Sequence, residues 1–274
     1  MTTSPQKPLK IAIDDLSRPL HRIFPVWIFE QMLQLRQMTL VSPRRWEDPY
    51  EDICSTFMLR DQHDHAKPQL SVAEHLAPAW AQCWSYESNS DLLLRSYSRV
   101  ERHPIAKRNM MPGAEGVRVT TTASLLLKAM EAWAMGVPGT ADSGFALGRV
   151  TYLPEADLPL RLVNLIERQG LKYLNTLDGR AHTLLLKRDY FRHEDEVRLI
   201  CTKEDKGAVA EFRHFSIEPN DLFTEIAFDP RLLYFERLER ERTVQHLGYN
   251  GKITRDTSYE AALHIFLMEN GWKD

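Results

Sequence analysis

The sequence predicts an α+β fold of mixed, mostly antiparallel sheets with flanking helices, in a single domain over residues 1–274 with a loose leader at 1–18. Three observations predict it. Strand-like segments cluster late while helical ones are interspersed early, which argues against a regular alternating parallel sheet. No repeat, low-complexity tract or long linker divides the chain. The composition, 43% hydrophobic and 27% charged with 12 Gly and 15 Pro, excludes disordered and fibrous classes.

The elements follow in chain order. Leu20-His21-Arg22-Ile23-Phe24 alternates apolar and polar residues as a half-buried strand does, and Pro25 opens a helix. Across Val26–Gln37 the residues Ile28, Phe29, Met32 and Leu33 recur at helical spacing and make one buried face. A strand, Met38–Val41, stops at Ser42-Pro43. Asp48 can cap a helix whose first position is Pro49, with Glu51 and Asp52 in the first turn, where the helix dipole favours anions. After a polar loop at Asp61–Gln69 come a tryptophan-bearing strand, Ala79–Tyr86, and a helix, Leu92–Ser98. Arg99–Glu115 is charged and contains His103-Pro104 and Pro112-Gly113, so it reads as an exposed loop. Gly116–Thr121 alternates as a strand, and Ala123–Met135 is a helix that Gly136 stops, with a Gly-Pro loop to Gly144. A strand at Leu147–Leu153 and an amphipathic helix at Pro159–Leu174 precede three strands, Glu196–Cys201, Glu211–Ser216 and Phe223–Phe228. A charged helix, Pro230–Leu247, and a closing one, Tyr259–Met268, complete the series.

Several function classes drop out. With 35 Lys+Arg against 38 Asp+Glu the formal net charge is -3, so bulk charge implies neither a nucleic-acid scaffold nor an acidic tail. No apolar run approaches the ~20 residues of a membrane span, and Met1–Lys10 is polar and lacks a signal core. A cytoplasmic protein without a membrane partner is expected. The three cysteines, Cys54, Cys83 and Cys201, lack CxxC spacing and read as small buried hydrophobes.

Several constellations carry possible chemistry. In Phe191-Arg192-His193-Glu194-Asp195-Glu196-Val197-Arg198 a charge-dense turn feeds an apolar strand, on which Glu196 and Arg198 share a face because side chains alternate with period two. Such a pair either positions a polar ligand or forms a plain surface salt bridge. Arg22, flanked by His21, is a bidentate phosphate clamp or a solvent-facing strand residue. Ser85 of Cys83-Trp84-Ser85 ends a strand, and no GxSxG surrounds it. Glu47, Asp48, Glu51 and Asp52 present four carboxylates that can attract magnesium, as a metal-dependent nuclease would require, although capping accounts for most of them. His63-Asp64-His65 with His75 lies in a loose polar loop without HExxH, and no metal is expected. A different class of function, a non-catalytic module binding nucleic acid or protein, is suggested by five basic side chains in Arg99–Arg108.

As a set these residues resemble the DUF2971 family of bacterial and phage-borne proteins. The resemblance runs from Leu20-His21-Arg22-Ile23-Phe24-Pro25 through Trp46-Glu47-Asp48-Pro49-Tyr50-Glu51, Gln82-Cys83-Trp84-Ser85, Leu94-Arg95-Ser96-Tyr97-Ser98 and Gly116-Val117-Arg118 to His193-Glu194-Asp195-Glu196-Val197-Arg198. Phe228-Asp229-Pro230-Arg231 also matches, whereas Leu94 stands where that family often has tryptophan. More distantly the set is similar to ADP-ribosyltransferases, and this resemblance implies a split-sheet core and an enzyme that uses NAD as substrate. In that reading Arg22 clamps pyrophosphate or ribose, Ser85 seats nicotinamide, and Glu196 stabilises the cation-like sugar while Glu194 activates the acceptor. Trp46, Trp84 and Tyr97 supply a stacking wall, with Arg198 and Asp48 as further substrate contacts. The implied acceptor is a protein or nucleic acid, as for a toxin or phage-defence effector.

Overall fold

The computed structural model of the chain describes residues 7–136, 143–203 and 210–260. Its strands are β1 (Leu9–Ile11), β2 (Pro19–Pro25), β3 (Gln37–Val41), β4 (Met58–Leu59), β5 (Leu70–Ser71), β6 (Ala79–Ser85), β7 (Gly116–Thr122), β8 (Ser143–Arg149), β9 (Thr151–Leu153), β10 (Leu186–Arg188), β11 (Glu196–Lys203), β12 (Phe212–Ser216), β13 (Glu225–Phe228) and β14 (Lys252–Thr254). The main sheet runs β1-β8-β11-β6-β2-β7-β13-β14, with β3 branching from β6 and carrying β12. All its pairs are antiparallel except β1 with β8 and β13 with β14. The fold class is therefore α+β with a mixed, mostly antiparallel sheet, as the sequence predicts.

The two faces of the sheet bury different things, because alternate residues of a strand point to opposite sides. On β6, Trp80 and Trp84 face the main core, while Ala79 and Ala81 belong to a second cluster on the other face. Helix α1 (Val26–Leu35) lays Val26, Phe29, Met32 and Leu33 into the main core, and α3 (Ala123–Gly136) adds Leu126, Leu127 and Met130. Phe29 packs at 5.9 Å from Phe223 and 6.0 Å from Tyr249, ring centre to ring centre. The second face is covered by a helix that the sequence reading misses. It lies at Leu177–Leu184 and is α5; α2 (Asp91–Tyr97) precedes α3, and α4 (Asp157–Gln169) follows α3. Ala181 and Leu184 of α5 pack on Ala81, Ala146 and Ile200.

Other differences have local causes. The expected helix at Pro159–Leu174 ends at Gln169, where Gly170 takes φ +78° and breaks it, and a 3-10 turn follows at Leu171–Asn175. The Pro49 helix is 3-10 throughout Pro49–Thr56 and kinks at Asp52. The segment Pro230–Leu247 becomes helical only as α7 (Tyr234–His246), and Phe223–Phe228 shortens to β13, with a short helix, α6 (Pro219–Leu222), before it. Leu147–Leu153 divides between β8 and β9. Within the leader expected to be loose, β1 pairs with Ala146–Gly148 of β8. Most of the Gly136–Gly144 loop and all but the start of the Tyr259–Met268 helix lie outside the described residues.

Asp52 fastens the second face. Its two carboxylate oxygens accept Arg180 Nη1 and Nη2 at 2.6 and 2.8 Å, and both residues are buried. This joins the 3-10 segment to α5. Asp52→Ala leaves that guanidinium buried without its anion, so it is expected to destabilise the chain by about 3–5 kcal/mol in urea unfolding, whereas loss of a surface contact costs under about 1 kcal/mol.

Candidate active site

The site forms where the sheet opens. Strand β2 pairs with β7 along its whole length but meets β6 at one pair only, His21 with Ser85. Beyond that point the Cys83 carbonyl has no strand partner opposite, and Arg22 Nη1 donates to it instead. Arg22 thus starts from the core side of β2, over the Phe24 ring, and enters the cleft through the split. Its Nε is enclosed and makes no hydrogen bond. Ser85 lies opposite Glu196 on β11, so His21, Ser85 and Glu196 share a face. The Ser85 hydroxyl donates to the Glu194 carbonyl and accepts Glu87 N–H at 2.9 Å.

Glu196 opens β11 and is 2% exposed. Its carboxylate accepts Arg198 Nε at 2.7 Å and Lys187 Nζ at 3.1 Å, and Tyr152 Oη accepts its backbone N–H at 2.9 Å. Burial pushes this carboxyl up, but Arg198 and Lys187 outweigh burial and hold it well below the usual carboxylate range. Arg198 is fully buried, with Glu51 at 2.7 Å, the Leu184 carbonyl at 2.6 Å and the Trp46 ring 4.5 Å from its guanidinium. Lys187 also reaches Glu194 at 2.6 Å and Glu51 at 3.1 Å. Burial raises the Glu194 carboxyl above its usual value, which Glu196 and Glu51 reinforce and Lys187 opposes. Three carboxylates therefore face two cations, and the cluster keeps one negative charge in excess.

Arg22, Ser85, Tyr97, Glu194 and Glu196 line one cleft together with His21, Cys83 and Arg118. Tyr97 stands 49% exposed at its mouth. Trp84 reaches the cleft by its position on β6, while its indole sits in the main core and donates to Gln82 at 3.0 Å. Trp46 does not line the cleft: it packs on Arg198 and the second core cluster. Asp48 stands apart as well, capping Tyr50 N–H at 3.0 Å and pairing with Arg188 at 3.1 Å. Arg198 has no surface left for a substrate, and its geometry makes it the holder of Glu196.

Several members of the rival constellations are taken up by internal pairs. Three of the four carboxylates after Trp46 have cation partners: Asp48 faces Arg188, Glu51 faces Lys187 and Arg198, and Asp52 faces Arg180. In the basic loop, Arg102 bonds Glu236 and the Arg231 carbonyl, and Arg108 sits 3.8 Å from Glu239. Sequence reasoning misses Lys187, Arg118 and the place of Cys83 in the cleft. Lys187 follows Leu184-Leu185-Leu186, and a lysine ending an apolar run is the signal that marks it. Burial and nearby Glu196 push the Cys83 thiol far above its usual value, which disfavours a thiolate there. Arg118 projects from β7, donates to Asn89 at 2.9 Å and Asp256 at 3.0 Å, and has an enclosed, unpartnered Nε. It also lines an adjoining pocket of about 390 Å³ with Ser88, Leu94, Asp229 and Tyr259.

Comparison with known protein families finds no match. None is found among curated proteins either. Among solved structures, DarT of Thermus sp. 2.9 in complex with NAD+ is 11% identical with a TM-score of 0.38, covering 90% of this chain and 99% of that one. The same protein in complex with ADP-ribosylated ssDNA is 10% identical with a TM-score of 0.38, covering 89% and 96%. Among the described residues no helix is long and apolar enough to cross a membrane.

His21 gives the cleft a pH signature. Burial and Arg118 push its imidazole down to about 4 from 6.5, with Glu225 opposing, and its Nδ1 lies 3.1 Å from the Thr120 hydroxyl. The unfolded chain takes up a proton near pH 6.5 that the folded chain refuses until about pH 4, so stability is full above 6.5 and falls between these values. Urea unfolding at pH 7.5 and 5 is expected to show a smaller drop for His21→Gln than for the natural chain; equal drops exclude a lowered His21 proton affinity in the folded chain.

Proposed function

We propose that the chain is an ADP-ribosyltransferase-like enzyme that breaks the nicotinamide–ribose bond of NAD and passes ADP-ribose to a macromolecular acceptor, protein or nucleic acid. The observation that carries this reading is the meeting of Arg22, Ser85 and Glu196 in one cleft at the split between β2 and β6. Two arginines that line the cleft, Arg22 and Arg118, suit an anionic ligand such as a pyrophosphate. Ser85, whose proton is committed to the Glu194 carbonyl, keeps a lone pair to accept from a carboxamide N–H.

When the glycosidic bond breaks, its electron pair leaves with the nicotinamide nitrogen and the ribose becomes cation-like. The excess negative charge of the Glu51, Glu194 and Glu196 cluster stabilises that cation from fixed positions, without reorganisation of solvent. Glu196 acts as a held charge, because its oxygens are tied to Arg198 and Lys187. Glu194 is the carboxylate with the raised proton affinity and accepts the acceptor's proton as the new bond to ribose forms. Environments that drive two neighbouring carboxyls apart in this way commonly divide the roles of base and charge.

The test uses NAD labelled in the adenylate phosphate, incubated with the chain and a cell lysate, with nicotinamide release and label transfer both measured. Release is expected with the natural chain, and Glu196→Gln is expected to lower it about 100-fold or more while the protein stays folded. Nuclease or protease treatment of the labelled fraction separates the two acceptor classes. Absence of nicotinamide release from the natural chain defeats the proposal.

A further inference from the structure

Lys187 sits on β10, outside the main sheet, in a two-stranded parallel ladder with β9. The chain reaches it from α5, which packs on the sheet face that carries Glu196. An ammonium has three hydrogens, and Lys187 Nζ has three carboxylates around it, Glu194 at 2.6 Å, Glu196 at 3.1 Å and Glu51 at 3.1 Å. The Phe191 ring centre is 4.8 Å away. Every donor of this lysine is therefore committed inside the cluster, and the residue is 5% exposed.

The two acids of Glu194-Asp195-Glu196 are served unequally. Glu196 has a second cation, since Arg198 bonds it through Nε at 2.7 Å and Nη2 at 3.1 Å. Glu194 pairs with Lys187, while Glu196 and Glu51 oppose its ionisation. We infer that Lys187 is a positioning residue that sets the pH at which Glu194 gives up its proton and so becomes able to act as the base. The catalytic half of this inference rests on the glycosyl-transfer reading above; the electrostatic half stands on the geometry alone.

The groups that face Glu194 come from several elements. They are Lys187 from β10, Glu196 from β11, Glu51 from the 3-10 segment Pro49–Thr56, Tyr152 from β9 and Tyr97 from α2. Burial pushes the Tyr97 hydroxyl up to about 12 and drives the Tyr152 hydroxyl higher still, so both stay neutral at ordinary pH. Removing Lys187 takes a cation from beside Glu194 and leaves two carboxylates there, so the Glu194 proton is held more tightly. A charge pair at this distance moves a carboxyl by about 1–3 pH units.

Lys187→Met and Lys187→Arg are compared with the natural chain by nicotinamide release against pH and by carboxyl titration of 13C-labelled glutamate in NMR. In Lys187→Met the acid limb of the rate profile and the Glu194 midpoint are both expected to move up by about one unit or more, with Lys187→Arg returning both. A rate that falls equally at every pH with an unmoved midpoint overturns the inference and marks Lys187 as structural. Should the natural chain release no nicotinamide, the glycosyl-transfer reading fails while the NMR midpoint still decides the inference. If Lys187→Met does not fold, Glu51→Gln decides it in the opposite direction: removal of a competing carboxylate is expected to lower the Glu194 midpoint, and an unchanged or raised midpoint overturns the inference.

Discussion

The buried contact between Glu196 and Arg198 is the constraint around which the site is organised. Both residues stand on one strand two positions apart, so their side chains share a face by the geometry of the strand itself. Burying such a pair costs desolvation that its attraction seldom returns in full, and matched apolar residues commonly serve a fold as well or better. Here the pair is extended by Lys187, Glu51 and Glu194 rather than insulated by hydrophobes. A charge cluster with one uncompensated anion beside a cleft is unfavourable as scaffolding and useful as an electrostatic device, which is the sense in which the proposed chemistry explains it.

The split of the sheet is the second condition. Full pairing of β2 with β6 would satisfy the Cys83 carbonyl by a ladder bond and close the space between them. A single pair, His21 with Ser85, leaves that carbonyl to an arginine side chain. The same opening gives Arg22 a path from the core side of its strand to the cleft. Arg118, opposite Ile23 in the β2–β7 register, brings a second guanidinium to the cleft from β7. The two faces of β6 then divide the labour, with Trp80 and Trp84 in the core and Cys83 and Ser85 toward the cleft.

Much of this is legible in the sequence. The alternation of β2 and β7, the apolar run of β11 and the acids at its start can be read directly from the sequence. The roles of Trp46, Asp48 and Arg198 are not legible in the same way. Residue type alone cannot tell an arginine that touches a ligand from one that Glu51, Glu196 and a backbone carbonyl consume completely. Lys187 hides behind three leucines, in a three-residue strand too short for any periodic signal. Helix α4 is overextended in the sequence reading because Leu171 and Leu174 continue its spacing past Gly170, whose positive φ is a tertiary fact rather than a pattern.

The cluster also draws its members from distant stretches of chain. Glu51 arrives from the 3-10 segment, Lys187 from β10, and Glu194 and Glu196 from the turn into β11. A polypeptide still emerging from the ribosome, released only as far as α5, owns Arg22, Glu51 and Ser85 but lacks both acids assigned to the reaction and the lysine between them. On the proposed dinucleotide chemistry, such late assembly keeps the nascent chain inert until most of the molecule has been synthesised.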